Sequence, residues 1–347
     1  MDFASLCDRG IKINPYTESH RVRYIVQFLN SSAGLASQTT VDGVGLVELE
    51  DGPTLSMAFT SRMAKLRVAV LTPSAPLNHL NSIMLMPDVY FIRSHGYDKM
   101  TGKIRAISRR TPFRRKRFAV TFRGASTGPV PSFEDFPGQN TRIKLCLHAR
   151  ELDRKASKPS SMSAVRSVFA RAMDGYKTTG IWDVGISTIV QVDHAMTIKL
   201  KQEDLLRAKK KPQEMIGDRG IFDVDGNSNS WNGLWWKLLS NSVVLKVQSP
   251  WQQWYYRYLI PWVHYIPVAA DLADVDSQVA YVLDSKHNSN LSAIAEASTK
   301  LMKSMTHEKA MSFHRAKLVE CFANARCGEV ETAPSQQMKY TTPHKAP

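Results

Sequence analysis

Asp223, Asp225, Ser228 and Ser230 stand together in the stretch FDVDGNSNSW, and their types admit two kinds of chemistry. An apolar strand that ends in Asp-Val-Asp can hold a divalent cation against a diphosphate, with Asp223 and Asp225 as ligands. A small-residue loop that runs into a helix offers an anion something different. There Gly226, Ser228 and Ser230 would present backbone N–H groups, hydroxyls and the positive end of a helix dipole, with no metal. A calcium loop is excluded, because its sixth position is Ser228 rather than glycine and its twelfth is Leu234 rather than glutamate. A second anion-binding pattern lies upstream, at Arg123-Gly124-Ala125-Ser126-Thr127-Gly128. Its glycines let the backbone approach a ligand, Ser126 and Thr127 sit between them, and the planar guanidinium of Arg123 suits a phosphate. Taken alone, that turn reads equally well as a strand end with a surface arginine. Lys246, near the end of the next apolar run, is either a second phosphate cation or a lysine snorkelling to the surface.

Those residues need strands and helices to place them. Ile221–Val224 reads as a strand, Gly233–Leu239 as a helix, Val243–Val247 as a strand and Tyr265–Ala269 as a third apolar run. Asp271 and Asp274 then suit capping of the following helix. Upstream, Phe118–Phe122 is a strand and Thr141–Arg150 a helix. The run Asp183-Val184-Gly185 ends a short apolar segment. In the first third, Lys65–Leu71 reads as a buried strand, Leu77–Leu85 as a helix stopped by Pro87, and Val44–Leu49 as a short strand before the turn at Glu50. Val22–Leu29 fits either a strand or a helix. Val89–Ile92 reads as a strand whose end delivers His95 and Asp98, the place where open α/β sheets put their sites. Met162–Met173 has helical spacing, and Leu291–Ala325 reads as long helical structure. Lys155–Ser161 is expected to be a flexible connection and the basic run in Leu205–Pro212 a solvated one. Trp251, Trp254, Tyr255, Tyr256 and Tyr258 form either a stacking platform or, as is commoner for aromatics at such spacing, core. The tail 328–347 is polar and is expected to be disordered.

Bulk properties narrow the class. A chain of 347 residues with 43% hydrophobic and 22% charged residues has the composition of a globular protein with a substantial core. No apolar run of about eighteen residues predicts a membrane span. The N-terminal stretch shows no signal-peptide pattern, so the compartment stays open: cytoplasmic if the chain is whole, secretory lumen if it is truncated. Cys7, Cys146, Cys321 and Cys327 are too scattered for a zinc site, and buried thiols are expected, with Cys321–Cys327 pairing as the alternative. The formal charge of +15 is concentrated in Lys99–Arg117. Such a cluster is either a solvated linker or a site for nucleic acid, acidic lipid or charged glycan.

Taken together, FDVDGNSNSWNGLWWKLLSNSVVLKV, LIPWVHYIPVAADLADV and RFAVTFRGASTG resemble glycosyltransferase family 90, and they occur in the family's order. The resemblance covers much of Arg117–Ala297, while the first eighty residues match weakly. It implies an α/β fold of the GT-B type, two Rossmann-like domains facing a cleft with a helical C-terminal segment. On this reading residues 1–112 form a short acceptor-side domain and 113–327 the nucleotide-sugar domain. The implied activity is inverting transfer of glucose or xylose from a UDP-sugar to a hydroxyl on a protein or glycan, without a cofactor or metal. Arg123, Ser126, Thr127, Gly226, Ser228, Ser230, Lys246 and His264 would serve the donor. Asp98, in a pattern with Asp88, would be the base, with His95 as the alternative. Many members carry an arginine directly after the serine matching Ser230. Here Trp231 stands there, as in a bacterial and fungal-type subgroup, which leaves the second phosphate cation unassigned. Two contrasting readings remain: a degenerate transferase without activity, and a non-enzymatic basic module for nucleic acid or acidic surfaces. For the family reading, nucleic acid is not an expected partner.

Overall fold

The computed structural model describes residues 6–7, 10–11, 44–47, 68–80, 83–132, 134–156 and 181–324. The expectations for Val22–Leu29, the turn at Glu50, Met162–Met173 and the tail fall outside these residues. So do the side chains of Cys7, Cys321 and Cys327. Strands β1 (Leu6–Cys7) and β2 (Gly10–Ile11) pair antiparallel. A small parallel sheet follows from β3 (Val44–Val47), β4 (Val68–Thr72) and, after the two-residue β5 (Ala75–Pro76), β6 (Met84–Leu85).

The main sheet contains β7 (Arg117–Ala125), β8 (Trp182–Thr188), β9 (Asp218–Asp223), β10 (Val243–Val247) and, after β11 (Trp251–Gln252), β12 (Ile266–Val268). Its order is β12-β10-β9-β7-β8 and every pair is parallel. The first strand of this sheet in the chain therefore lies between the second and the third. Connections leave β7 and β9 in opposite directions, which opens a crevice at their carboxyl ends. β11 pairs antiparallel with β5 and ties the earlier segment to the crossover after β10.

Helices cover both faces, so β10 is apolar apart from Lys246 and β12 is apolar throughout, while β9 also buries Asp218, Arg219 and Asp223. The pleat sorts their side chains. Val120, Phe122, Phe222, Val243 and Leu245 join one core with Ile143 and Cys146 of α3 (Thr141–Ala156) and Val279 and Val282 of α7 (Val275–Leu283). Ile221 and Val244 face the other way, onto α6 (Asn232–Leu239) and the aromatic crossover. That second core takes in Phe91 of α1 (Val89–Arg93) and Ile104 of α2 (Asp98–Arg110). The remaining helices are α4 (His194–Gln202), α5 (Pro212–Met215), α8 (Asn288–Ser304) and α9 (His307–Asn324). Cys146 is a buried thiol, which burial pushes up to about 12.

Several local expectations are corrected. Val89–Ile92 is helical, because the Asp88 carboxylate accepts from the Tyr90 and Phe91 N–H groups and starts a helix there. Leu77–Leu85 divides into a 3-10 turn at Leu77–His79 and strand β6. Asp183-Val184-Gly185 lies inside β8, and Lys155 belongs to α3. The long C-terminal helix breaks at Met305–Thr306 into α8 and α9. Asp271 accepts from the Ala273 N–H; Asp274 accepts from Ala269 N and Gln278 Nε2, so it braces the turn before α7 without capping a helical N–H. The basic run after Leu205 is only partly solvated, since Lys210 pairs with Asp183.

Trp254, Tyr255 and Tyr256 are core, as their spacing suggests. They gather around Trp235, 2% exposed, whose ring lies 5.2 Å from Phe91, 5.3 Å from Tyr255 and 5.7 Å from Tyr97. This ring joins α6 to α1 and α2. Trp235→Ala is expected to cost about 3–5 kcal/mol of unfolding free energy, measured by urea denaturation.

Candidate active site

The crevice between β7 and β9 is built from the two segments that the sequence singled out. After β7, Ser126 and Thr127 follow; after β9, the chain runs through Asp225-Gly226-Asn227-Ser228-Asn229-Ser230 into α6. The Gly128 N–H donates to Asn227 Oδ1 at 3.0 Å, which brings the two loops into contact. A side chain on Gly226 would meet Thr127 Oγ1 at 2.5 Å, so glycine is the residue that permits this approach.

Arg142, in the first turn of α3, fastens the crevice. Its Nε donates to the carbonyls of Val224 and Asp225, both at 3.1 Å, and Nη2 donates to Val224 O at 3.0 Å. Its Nη1 donates to Ala125 O at 3.1 Å and Thr127 Oγ1 at 2.6 Å. One half-buried guanidinium thus joins the ends of both strands. Asn140 supports it by donating to Ser126 O and capping α3 at Ile143 N.

Beneath the loop lies a buried charge cluster. Asp223 Oδ1 accepts from Ser230 Oγ at 2.6 Å and Lys237 Nζ at 2.7 Å, and Oδ2 faces Lys246 Nζ at 3.7 Å. Burial alone would raise the Asp223 pKa, but the Lys237 and Lys246 ammoniums hold it at about 2. Burial pushes Lys237 down, and the Asp223 carboxylate at 2.7 Å opposes that shift. Lys246 also sits 4.9 Å from the Tyr256 ring centroid. Asp223 is therefore no bare metal ligand, because two ammoniums already meet its charge. Among the described residues, no three His, Cys, Asp or Glu side chains cluster as a metal site.

The loop itself holds buried polar atoms without well-formed partners among the described residues: Ser228 Oγ, Asn229 Nδ2 and both carboxylate oxygens of Asp225. Burial pushes the Asp225 carboxyl up, against the pull of Lys246 and of the Ser249 side chain beside it. Such atoms cost free energy unless something completes them. Trp231, with φ of 50°, adds a strained residue between the loop and α6.

Gly226, Ser228, Ser230, Ser126 and Thr127 are thus brought together, but not all are free. The Ser230 hydroxyl is spent on Asp223 and on the Leu234 N–H, and Ser126 bonds Val190 on both sides. Arg123 is not brought to the loop. It lies on β7 with its guanidinium turned to β8, donating to Asp183 Oδ1, Asp183 O (2.6 Å), Phe122 O (2.8 Å) and Ala208 O (3.0 Å). The reason is local: Asp183 on the neighbouring strand offers a carboxylate and a carbonyl within one fork's reach. His264 lies before β12, at the amino-terminal edge of the sheet, where its Nδ1 accepts the Ile260 N–H at 3.0 Å.

Asp98 is an exposed residue in the first turn of α2, whose Thr101 accepts from Trp235 Nε1 of α6 at 3.3 Å. Asp88 is spent on capping α1 and on Tyr97, whose hydroxyl donates to it. His95 is exposed, with its ring 5.2 Å from that of His307. Sequence reasoning missed Arg142 and Lys237. An arginine opening a helix after a Gly-rich turn, and a lone lysine inside LWWKLL, were the available signals.

Residues 181–340 match the model of glycosyl transferase family 90, which bears out the resemblance over that stretch. The Arg117–Gly128 segment lies outside the match. Uncharacterized protein 179R of Invertebrate iridescent virus 6 is 25% identical over 185 residues, covering 50% of this chain and 14% of the viral protein. Protein O-glucosyltransferase 1 of Rattus norvegicus is 46% identical over 44 residues, 13% of this chain and 11% of that protein. The chain therefore spans only a small part of the length of these relatives. A glycosyltransferase structure from Rickettsia africae ESF-5 aligns over 91% of this chain and 84% of its own, with 11% identity and a TM-score of 0.39. At that TM-score the likeness carries no weight for the fold.

The Asp223 cluster makes a pH prediction. Its pKa is depressed below the usual 3.8, so the stability it contributes is present above pH 4 and is lost as pH falls through about 2. Asp223→Asn removes the carboxylate that Lys237 and Lys246 both face and is expected to cost about 3–5 kcal/mol at pH 7. Urea titrations at several pH values should show a flatter acid limb for the variant.

Proposed function

We propose that this chain is a glycosyltransferase that binds a UDP-sugar across the β7–β9 crevice and transfers glucose or xylose, with inversion, to a hydroxyl on a protein or glycan. The observation that carries this reading is the pair of buried, unpartnered polar atoms Ser228 Oγ and Asn229 Nδ2, beside the buried Asp225 carboxyl. They lie at the switch point of a doubly wound sheet, inside the segment matched to family 90.

The Ser228 hydroxyl offers a donor to the diphosphate and the dipole at the amino end of α6 adds positive potential, stabilising it as a leaving group. Asp225 offers only acceptors, which suits the hydroxyls of ribose or sugar and disfavours a phosphate beside it. Arg142 is a positioning residue that holds both loop stems. Lys246, paired with Asp223, adds positive charge below the loop. Arg123 then acts by bracing β7 against β8, with no direct hold on the donor. The acceptor side would come from the segment carrying α1 and α2, in a GT-B arrangement. Asp98 is the base in this reading, with His95 the alternative; a single base and one in-line displacement give inversion.

Calorimetric titration with UDP, with and without EDTA, tests the donor site. Binding is expected in the wild type. Ser228→Ala and Gly226→Ala should each weaken it by roughly tenfold, the loss of one such contact, while Asp98→Asn should leave it intact and abolish turnover of UDP-glucose or UDP-xylose. A folded wild-type chain that binds no UDP would remove this reading. Binding that requires metal would return Asp225 to the role of cation ligand.

A further inference from the structure

The amino-terminal edge of the main sheet, opposite the crevice, carries two features that donor binding does not use. Arg109 and Arg110 close α2, and Arg114 and Arg115 follow in the 3-10 turn Phe113–Arg115. All four are exposed, and none has an ion-pair partner among the described residues. The helix dipole accounts for cations in the last turn of α2 but not for the second pair. Their backbone is fixed. Phe113 is buried on one side, and on the other the buried Lys116 amine donates to Ile216 O and Ser240 O. Glu214, the exposed acid at this edge, is turned to the Lys211 N–H.

The second feature is the turn before β12. Tyr258, Ile260 and Val263 are 40%, 50% and 44% exposed within six residues. They are held outward by a rigid turn. Val263 N and His264 N donate to Ile260 O, Trp262 N donates to Tyr265 O, and Leu259 and Tyr265 are buried as anchors. Both features precede strands of one parallel sheet, so they share its edge. β7 and β12 are three strand spacings apart, about 14 Å.

We propose that this edge docks on a membrane surface containing anionic phospholipid. The arginines would meet headgroup phosphates while Ile260 and Val263 enter the interface beside Tyr258. Nucleic acid fits less well, because it would use the cations but has no place for two exposed aliphatic side chains. Docked this way, the crevice at the carboxyl edge faces away from the lipid. The inference is independent of glycosyl transfer and fails separately from it.

Co-sedimentation of the intact chain with sucrose-loaded vesicles tests it. Binding to phosphatidylcholine vesicles containing phosphatidylserine is expected, with little on phosphatidylcholine alone. Arg114→Glu with Arg115→Glu, and separately Ile260→Ser with Val263→Ser, should each weaken it at least tenfold, while UDP binding and circular dichroism stay unchanged. Failure to bind either vesicle, or equal binding to both, overturns the proposal. So does a single-stranded oligonucleotide bound in place of vesicles with no loss in the Ile260/Val263 variant.

Discussion

The Asp223 carboxylate has to be charged where no water reaches it, and much of the structure answers that demand. An isolated buried carboxylate would be too costly to keep ionised. Here β10 supplies Lys246 in register beside it, α6 supplies Lys237 from above, and Ser230 closes the shell. Each partner comes from a different element, so satisfying one charge fixes strand register, helix placement and loop conformation together. The loop that results keeps Ser228 Oγ and Asn229 Nδ2 buried without a hydrogen bond among the described residues, beside the buried Asp225 carboxyl.

Arg142 and Arg123 show how position divides one chemistry into two tasks. Both are arginines with nearly every N–H engaged, and both tie neighbouring strands. Arg123 faces the β8 side and meets Asp183, so it stiffens the sheet. Arg142 reaches over the strand ends and meets only carbonyls and a hydroxyl, so it ties the carboxyl ends of β7 and β9 together. In the proposed reading, a guanidinium saturated by carbonyls would leave anion binding to loop groups that lack partners, above all Ser228.

Trp231 belongs to the same economy. The position where many members of the resembled family place an arginine here holds a tryptophan with φ of 50°, directly before α6. The charge absent there is present below the loop as Lys237 and Lys246, buried and already matched to Asp223. Positive charge at this loop thus lies beneath the backbone, and in the proposed reading contact with the donor would fall to hydroxyl and amide groups.

The sequence by itself determined the strands β7, β9 and β10, the helix α6, the small-residue loop before it and the family resemblance. Those signals are local: apolar runs bounded by turn residues need no partner to be read. It also marked the aromatic run after Trp251 as core, since such spacing fills interiors. It misplaced α1, because a five-residue helix started by Asp88 looks like a short strand when its cap is not seen. Only the tertiary structure decided the strand order that makes a crevice, and which polar groups remain free in it. That choice depends on contacts between residues far apart in the chain, such as Arg142 with Thr127 and Lys237 with Asp223, and spacing along the chain carries no record of them.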